Sequence, residues 1–331
     1  MNKYLTVKRI EFVVTYLCNS KCRHCQLGEE KERRSFPSHI DKDIAVEIVR
    51  KVGMKYRPKS VMTFGGEPLL YPGVVYAIHK EATRMRIPVR DVITNGFWSR
   101  KVGEIEEIAD NLAKSGVTEV SISVDAFHQE FVPLKTVKKA AESLLRAGIA
   151  HVSWNPCWVI CKDNDSPYNK KTRAILKELE SELPIAESSG NVAQPEGRAL
   201  FWLKDFLPQK VRIPEEKCGD MPYTELLNRV KTISVEPDGR VAVCKDFHIG
   251  NAYERDIIDI IENYDPFSIP EAKAIVEGGV DGLMNWGKAK GIKPDPTGYY
   301  NVCDMCRDIR EKAEQKQLVK ESSRKPIRKN T

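Results

Sequence analysis

Cys18-Asn19-Ser20-Lys21-Cys22-Arg23-His24-Cys25 sets three cysteines on one short loop, with three and then two residues between them. Thiolates this close can converge on one inorganic core. A structural zinc site closes its tetrahedron with four protein ligands, so three leave one position open. An iron–sulfur cluster can use such a vacancy, because the iron without a cysteine is able to bind a further ligand. A zinc knuckle with a distant fourth ligand stays open on the spacing alone.

The loop follows Val7 to Thr15, a β-branched and aromatic run that reads as a buried strand. Beyond a charged loop, helical periodicity marks Asp41 to Met54, then Pro72 to Met85, a stretch through Ile105 and Leu112 ending near Ser115-Gly116, and a stripe from Leu134 to Leu145. Strands are expected between these helices at Ser60–Phe64, Val89–Thr94, Glu119–Val124 and Val152–Ile160. A helix at Tyr168–Leu183 and a short sixth strand at Ile185–Ser188 follow. Strict strand–helix alternation predicts right-handed βαβ units and a parallel sheet, either open and doubly wound or a partial barrel. Chemistry then belongs at the carboxyl ends of the strands. The cysteine loop, Gly65-Gly66-Glu67-Pro68, Thr94-Asn95-Gly96 and Ser121–Asp125 all fall there. Two glycines leave the backbone bare for close approach by a charged ligand.

After Ala199 the pattern changes. Lys231–Glu236 and Arg240–Cys244 flank Pro237-Asp238-Gly239 and predict a β-hairpin. Short helices near Ile257–Tyr264 and Pro270–Glu277 precede a Gly/Pro-rich loop, and Cys303-Asp304-Met305-Cys306 is expected to end the structured part. Cys218, Cys244, Cys303 and Cys306 are enough to close a metal site completely.

The order Cys-x3-Cys-x2-Cys, Gly-Gly-Glu-Pro, Thr-Asn-Gly, each at a strand end, resembles the radical S-adenosylmethionine (radical SAM) superfamily over residues 7–200. The resemblance implies a partial (β/α)6 barrel in which Cys18, Cys22 and Cys25 hold a [4Fe–4S] cluster whose open iron chelates S-adenosylmethionine. It implies that Gly65, Gly66 and Glu67 meet the methionine ammonium, and that Asn95, Ser123 and Asp125 hold the carboxylate and ribose. His24, where many members carry an aromatic residue, would pack beside the adenine. Pro237-Asp238-Gly239-x4-Cys244 with Ile249-Gly250-Asn251, led by Gly197-Arg198-Ala199, resembles SPASM and twitch domains. That likeness implies a small α+β domain, with Cys218, Cys244, Cys303 and Cys306 on a second, auxiliary [4Fe–4S] cluster; a structural zinc is the alternative. The expected organisation is a catalytic domain at 1–200, an auxiliary-cluster domain at 201–310 and a basic, flexible tail at 311–331.

The implied chemistry is reductive cleavage of S-adenosylmethionine to a 5′-deoxyadenosyl radical that abstracts a substrate hydrogen atom, fed by a flavodoxin- or ferredoxin-type donor. Modification of a peptide or protein side chain is the favoured substrate class. The core starting near residue 1 weakens that reading, and dehydrogenation or epimerisation of a small hydroxylated molecule is the alternative. A metal-binding scaffold is the non-enzyme alternative. Asp125 and His128 are candidates for acid–base work at the active edge. Cys157 and Cys161, four apart and so on one face of a strand, are candidates for hydrogen-atom donation or plain core residues.

Nine cysteines without a signal peptide favour metal or redox chemistry in a reducing cytoplasm over disulfides. No apolar run approaches the ~20 residues of a membrane span. Of the net charge of +6, +5 lies from Lys312 onward, where seven basic residues face two acidic ones. A charge excess confined to a tail reads as solvated and disfavours a nucleic-acid partner.

Overall fold

The computed structural model describes residues 2–324 other than Asp246, with side chains to residue 316. The chain begins with β1 (Leu5–Thr15), whose Leu5, Ile10, Phe12 and Val14 are fully buried. After α1 (Glu30–Arg33), the expected alternation runs α2 (Lys42–Tyr56), β2 (Ser60–Gly65), α3 (Pro72–Arg84), β3 (Val89–Thr94), α4 (Val102–Lys114), β4 (Glu119–Ser123), α5 (Leu134–Arg146) and β5 (His151–Asn155). Then come β6 (Cys157–Trp158), α6 (Pro167–Glu182), β7 (Ala186–Glu187), β8 (Asn191–Val192) and α7 (Arg198–Trp202). The C-terminal part comprises β9 (Val230–Val235), β10 (Arg240–Cys244), β11 (Phe247–Asn251), α8 (Ile257–Glu262), α9 (Pro270–Ala289) and α10 (Val302–Arg324).

Local signals set these boundaries. Asp41 caps α2 by accepting from the N–H groups of Asp43 and Ile44, both at 2.9 Å. Arg57, in the left-handed region at φ 49°, ends it.

One sheet carries nine strands in the order β11-β10-β9-β1-β2-β3-β4-β5-β7. From β9 to β7 all pairs are parallel, and β9, β10 and β11 are antiparallel. Among the described residues the sheet does not close on itself, and β11 and β7 form its edges. The C-terminal hairpin therefore extends the same sheet: Arg9, Ile10 and Phe12 of β1 lie opposite Thr232, Ile233 and Val235 of β9. One apolar core runs beneath both parts, from Leu5 and Ile10 through Val235 and Ile260 to Ile309.

Three expectations change. The run Val152–Ile160 is not one strand, because Pro156 has no N–H for the ladder. β5 stops at Asn155, and β6 pairs instead with β8 in a separate two-stranded sheet. The helix expected at Pro270–Glu277 continues to Ala289 through a break at Gly279, φ 57°. Cys303 and Cys306 do not end the structured part; they open α10, which runs to Arg324. Of the basic tail, residues 325–331 lie outside the described residues.

Candidate functional site

At the carboxyl end of β1 the pleat shifts between Val13 and Thr15, and the chain leaves the sheet into the cysteine loop. The loop is fastened from beneath. The Gly66 N–H donates to Thr15 O at 2.7 Å and the Glu67 N–H to Leu17 O at 2.8 Å. A Cβ on Gly66 would stand 2.0 Å from Leu17 O, and one on Gly65 (φ 134°) would stand 2.4 Å from Thr15 O. On the side where a Cβ would stand, this bare backbone makes room for the cysteine loop.

From the other side, the Arg198 N–H donates to Cys25 O at 3.0 Å and its Nε to Cys22 O at 3.3 Å, while the guanidinium holds Glu29 at 2.8 Å. Gly197, at φ 51°, stands where a Cβ would be 2.8 Å from Cys25 O. Arg198 was legible only as part of Gly197-Arg198-Ala199, and its clamp on the loop was not.

Cys18, Cys22 and Cys25 are free thiols. Burial pushes all three thiol pKa values up, Cys18 to about 11, and the Cys22 thiol is raised further by the other two. A bound metal core would take the three as thiolates. Asn95, at the end of β3, donates Nδ2 to Cys18 Sγ at 3.8 Å and to Asn19 Oδ1 at 2.8 Å.

Glu67 is fully buried. Its carboxylate accepts from Leu69 N at 3.0 Å, Thr94 Oγ1 at 2.8 Å and Asn95 N at 2.7 Å, tying β2 to β3 beneath the site. Burial raises its pKa from 4.5 to about 7, against the lowering by those donors. A carboxyl raised in the folded state contributes stability that is full below about pH 4.5 and is lost as pH rises through about 7. The difference is on the order of 3 kcal/mol. Urea unfolding of the metal-free protein between pH 4.5 and 7.5 should show this slope, and Glu67→Gln should flatten it.

Asp125, just past β4, is also fully buried. Its Oδ1 accepts from the N–H groups of Phe127 and His128, both at 2.9 Å, and its Oδ2 from His128 Nδ1 at 2.8 Å and Cys157 N at 3.0 Å. Burial works to raise its pKa, but His128's charge and hydrogen bonds prevail and hold it at about 2. An ionised Asp125 requires the proton on His128 Nδ1, which leaves Nε2 able to accept one. His24 packs against Phe127 at 4.8 Å and His128 at 4.9 Å between ring centroids, and burial lowers its pKa to about 4. Ligand-capable atoms of His24, Asp125 and His128 lie within 4.8 Å of one another.

Cys157 belongs with this group and Cys161 does not. Cys157 is buried beside Cys22 and Phe127, and its pKa is pushed up by burial, then by Asp125, Cys22 and Cys25. The shared face expected for the two cysteines is absent, because the strand ends at Trp158 and Ile160 turns at φ 63°. Cys161 is exposed. Ser123 ends β4 opposite Asn155, half-buried at the same edge of the sheet.

Cys218, Cys244, Cys303 and Cys306 line one cavity, walled by apolar side chains including Leu227, Phe247, Ile275 and Leu283. Burial and the neighbouring Cys244 raise the Cys218 thiol to about 11. The two cysteine sets are joined by a charged junction. Glu196 pairs with both Lys245 and Arg307, and Lys245 Nζ also donates to Gln26 Oε1 at 3.2 Å. Lys245 follows Cys244, Arg307 follows Cys306 and Gln26 follows Cys25.

Residues 12–170 match the sequence model of the Radical SAM superfamily. The chain carries a radical SAM domain. Domains of this superfamily use S-adenosylmethionine and a [4Fe–4S] cluster, and the three free thiols at the carboxyl edge of the sheet fit that group. A GTP 3′,8-cyclase of Alkaliphilus metalliredigens (strain QYMF) is 24% identical over 224 residues, 66% of each chain. A putative peptide biosynthesis protein, YydG, of Bacillus subtilis (strain 168) is 25% identical over 165 residues, 49% of this chain and 47% of that one. The chain thus spans between about half and two thirds of these relatives' lengths. A solved structure, native anSMEcpe with bound AdoMet, shares the fold, with a TM-score of 0.53 at 15% identity over 97% of this chain and 100% of that one. No helix among the described residues is long and apolar enough to cross a membrane.

Proposed function

We propose that the chain is a radical SAM enzyme that modifies a peptide or protein side chain, with a second cluster in its C-terminal part. The observation that carries the enzymatic reading is the convergence of Cys18, Cys22 and Cys25 at the strand ends with Asn95 bonded to Cys18 Sγ. When bound, the cluster and S-adenosylmethionine supply reductive cleavage to a 5′-deoxyadenosyl radical, which removes a hydrogen atom from an unactivated C–H bond.

The chain's own residues prepare for this. Cys18, Cys22 and Cys25 would hold the cluster. An ammonium needs acceptors, which the carbonyls of Gly65 and Gly66 supply, while Glu67 braces the segment from below. Asn95, Ser123 and Asp125 would hold the carboxylate and ribose, with His24 against the adenine. His128 Nε2 would take a proton from the substrate, and buried Cys157 would give up a hydrogen atom; exposed Cys161 is set aside from that role. Cys218, Cys244, Cys303 and Cys306, in their apolar cavity, would hold an auxiliary [4Fe–4S] cluster for electron transfer, since four thiolates leave it no open iron. We assign the catalytic domain to residues 1–200 and the auxiliary domain to 201–310, with a flavodoxin- or ferredoxin-type donor.

The peptide reading is supported by the relative named for peptide biosynthesis. A nucleotide or other small hydroxylated substrate is the second reading, supported by the relatives named GTP 3′,8-cyclase. Anaerobic reconstitution tests the enzyme: about eight irons per chain and dithionite-dependent release of 5′-deoxyadenosine are expected. Zinc in their place, or no cleavage, would sink it. Hydrogen transfer from labelled GTP to 5′-deoxyadenosine would decide for the second substrate class; transfer from a short peptide encoded beside this gene would decide for the first. Cys303→Ala should lower the iron content by about half and keep the paramagnetic signal of the cluster that S-adenosylmethionine perturbs.

A further inference from the structure

Just past the cysteine loop, the charged side chains of α1 are paired or, like Lys31, exposed to solvent, with one exception. Glu29 is taken by Arg198 at 2.8 Å, Glu30 by Lys21 at 3.3 Å and Arg34 at 2.6 Å, and Glu32 by the Glu29 N–H at 3.1 Å. Arg33 remains. It is 5% exposed, its Nε is buried without a hydrogen-bond partner, and no described residue forms an ion pair with its guanidinium. A buried cation without a partner is strongly unfavourable, so such a group marks the place of an anion.

The helix bearing Arg33 is tied to the cysteine loop on both sides, through Lys21–Glu30 and through Arg198, which grips Glu29 and the carbonyls of Cys22 and Cys25 together. Folding therefore leaves a buried, unpaired cation on a helix fastened to the loop that carries the three cysteines.

We propose that Arg33 is the buried counter-ion of the iron–sulfur core held by Cys18, Cys22 and Cys25. This rests on the radical SAM reading of that loop. A cluster on three thiolates is anionic and becomes more so on gaining an electron, so a fixed cation beside it favours the reduced form and raises the potential. Arg33 is a positioning and tuning residue, not a catalytic one.

The test is a reductive titration of the reconstituted full-length protein without S-adenosylmethionine, followed by electron paramagnetic resonance. The signal is assigned by its change when S-adenosylmethionine is then added. Wild type, Arg33→Gln and Arg33→Lys are compared. With Arg33→Gln, the ratio of reduced to oxidised cluster at a fixed potential should fall about tenfold, a shift of about 59 mV for one electron. Arg33→Lys, which keeps the charge, should restore most of it. Equal potentials in all three proteins would overturn the assignment. So would weakened S-adenosylmethionine binding at an unchanged potential, which would put the guanidinium on the methionine carboxylate instead. If Arg33→Gln loads no iron, Arg33→Lys decides: a loaded cluster at the wild-type potential supports the pairing, and a folded but iron-free chain overturns it. A wild-type protein that binds no cluster would overturn the radical SAM reading itself, whereas a normal wild-type cluster with an unmoved Arg33→Gln overturns only this inference.

Discussion

Gly66→Ala is expected to empty the N-terminal cysteine site while the chain stays folded. The added methyl would stand 2.0 Å from Leu17 O and 2.6 Å from Leu17 C, well inside van der Waals contact. Both partners are backbone, so no side chain can swing aside. The strand beneath is fixed by pairing of Val13 with Phe64 and Thr15 with Gly65, so the loop is what yields. Its movement would break the bonds from Gly66 N to Thr15 O and from Glu67 N to Leu17 O, and would carry Cys18 away from Asn95. We expect iron content to fall by about half and release of 5′-deoxyadenosine to drop at least ~100-fold, as misplacement of a site by an ångström allows. Gly73→Ala is the control: a Cβ there meets nothing within 4 Å, and both quantities should hold. Normal iron and cleavage in Gly66→Ala would show that the loop does not depend on this contact.

The second large effect is at Asp125. One carboxylate without solvent contact serves three backbone N–H groups and the His128 ring. Asparagine offers one acceptor oxygen where two are needed and turns a donor toward another donor. Breaking a buried, hydrogen-bonded ion pair from one side costs about 3–5 kcal/mol, and Asp125→Asn should lose that much in chemical denaturation near pH 7. Because the Asp125 pKa is lowered, its contribution is present above about 3.8, the ordinary value, and is lost as pH falls through about 2. The wild-type advantage over Asp125→Asn should therefore shrink only in that acid window. If His128 is the base, Asp125→Asn should also cut turnover by about 10²–10⁴-fold, and His128→Gln should match the loss of turnover with much less loss of stability. A His128→Gln protein with undiminished turnover would remove the base.

Much of this was legible because βαβ order and strand-end positions are written in periodicity. Cys18, Gly65–Gly66, Asn95 and Asp125 converge because parallel strands bring their carboxyl ends to one edge. What was hidden depends on contacts distant in sequence. The glycine pair also makes room for Leu17, a contact no local pattern announces. Asn155-Pro156-Cys157 held the signal that the fifth strand divides, but the β-branched residues around it outweighed one proline. Arg33 sits in a run, Glu29 to Arg34, that reads as solvated loop, and only folding shows which of its charges turned inward. Arg198 and Glu196 could be valued only once the cysteine loop lay beside them.

The order in which the sheet is completed bears on the chain's synthesis. β1 is made first, and its partner on one side, β9, arrives more than 200 residues later. At about 5–20 residues per second that is a delay of roughly 10–45 s. Through it, a strand carrying Ile10, Phe12, Val13 and Val14 presents an open row of backbone donors and acceptors. The nascent chain is therefore open to mispairing along β1 until β9 docks.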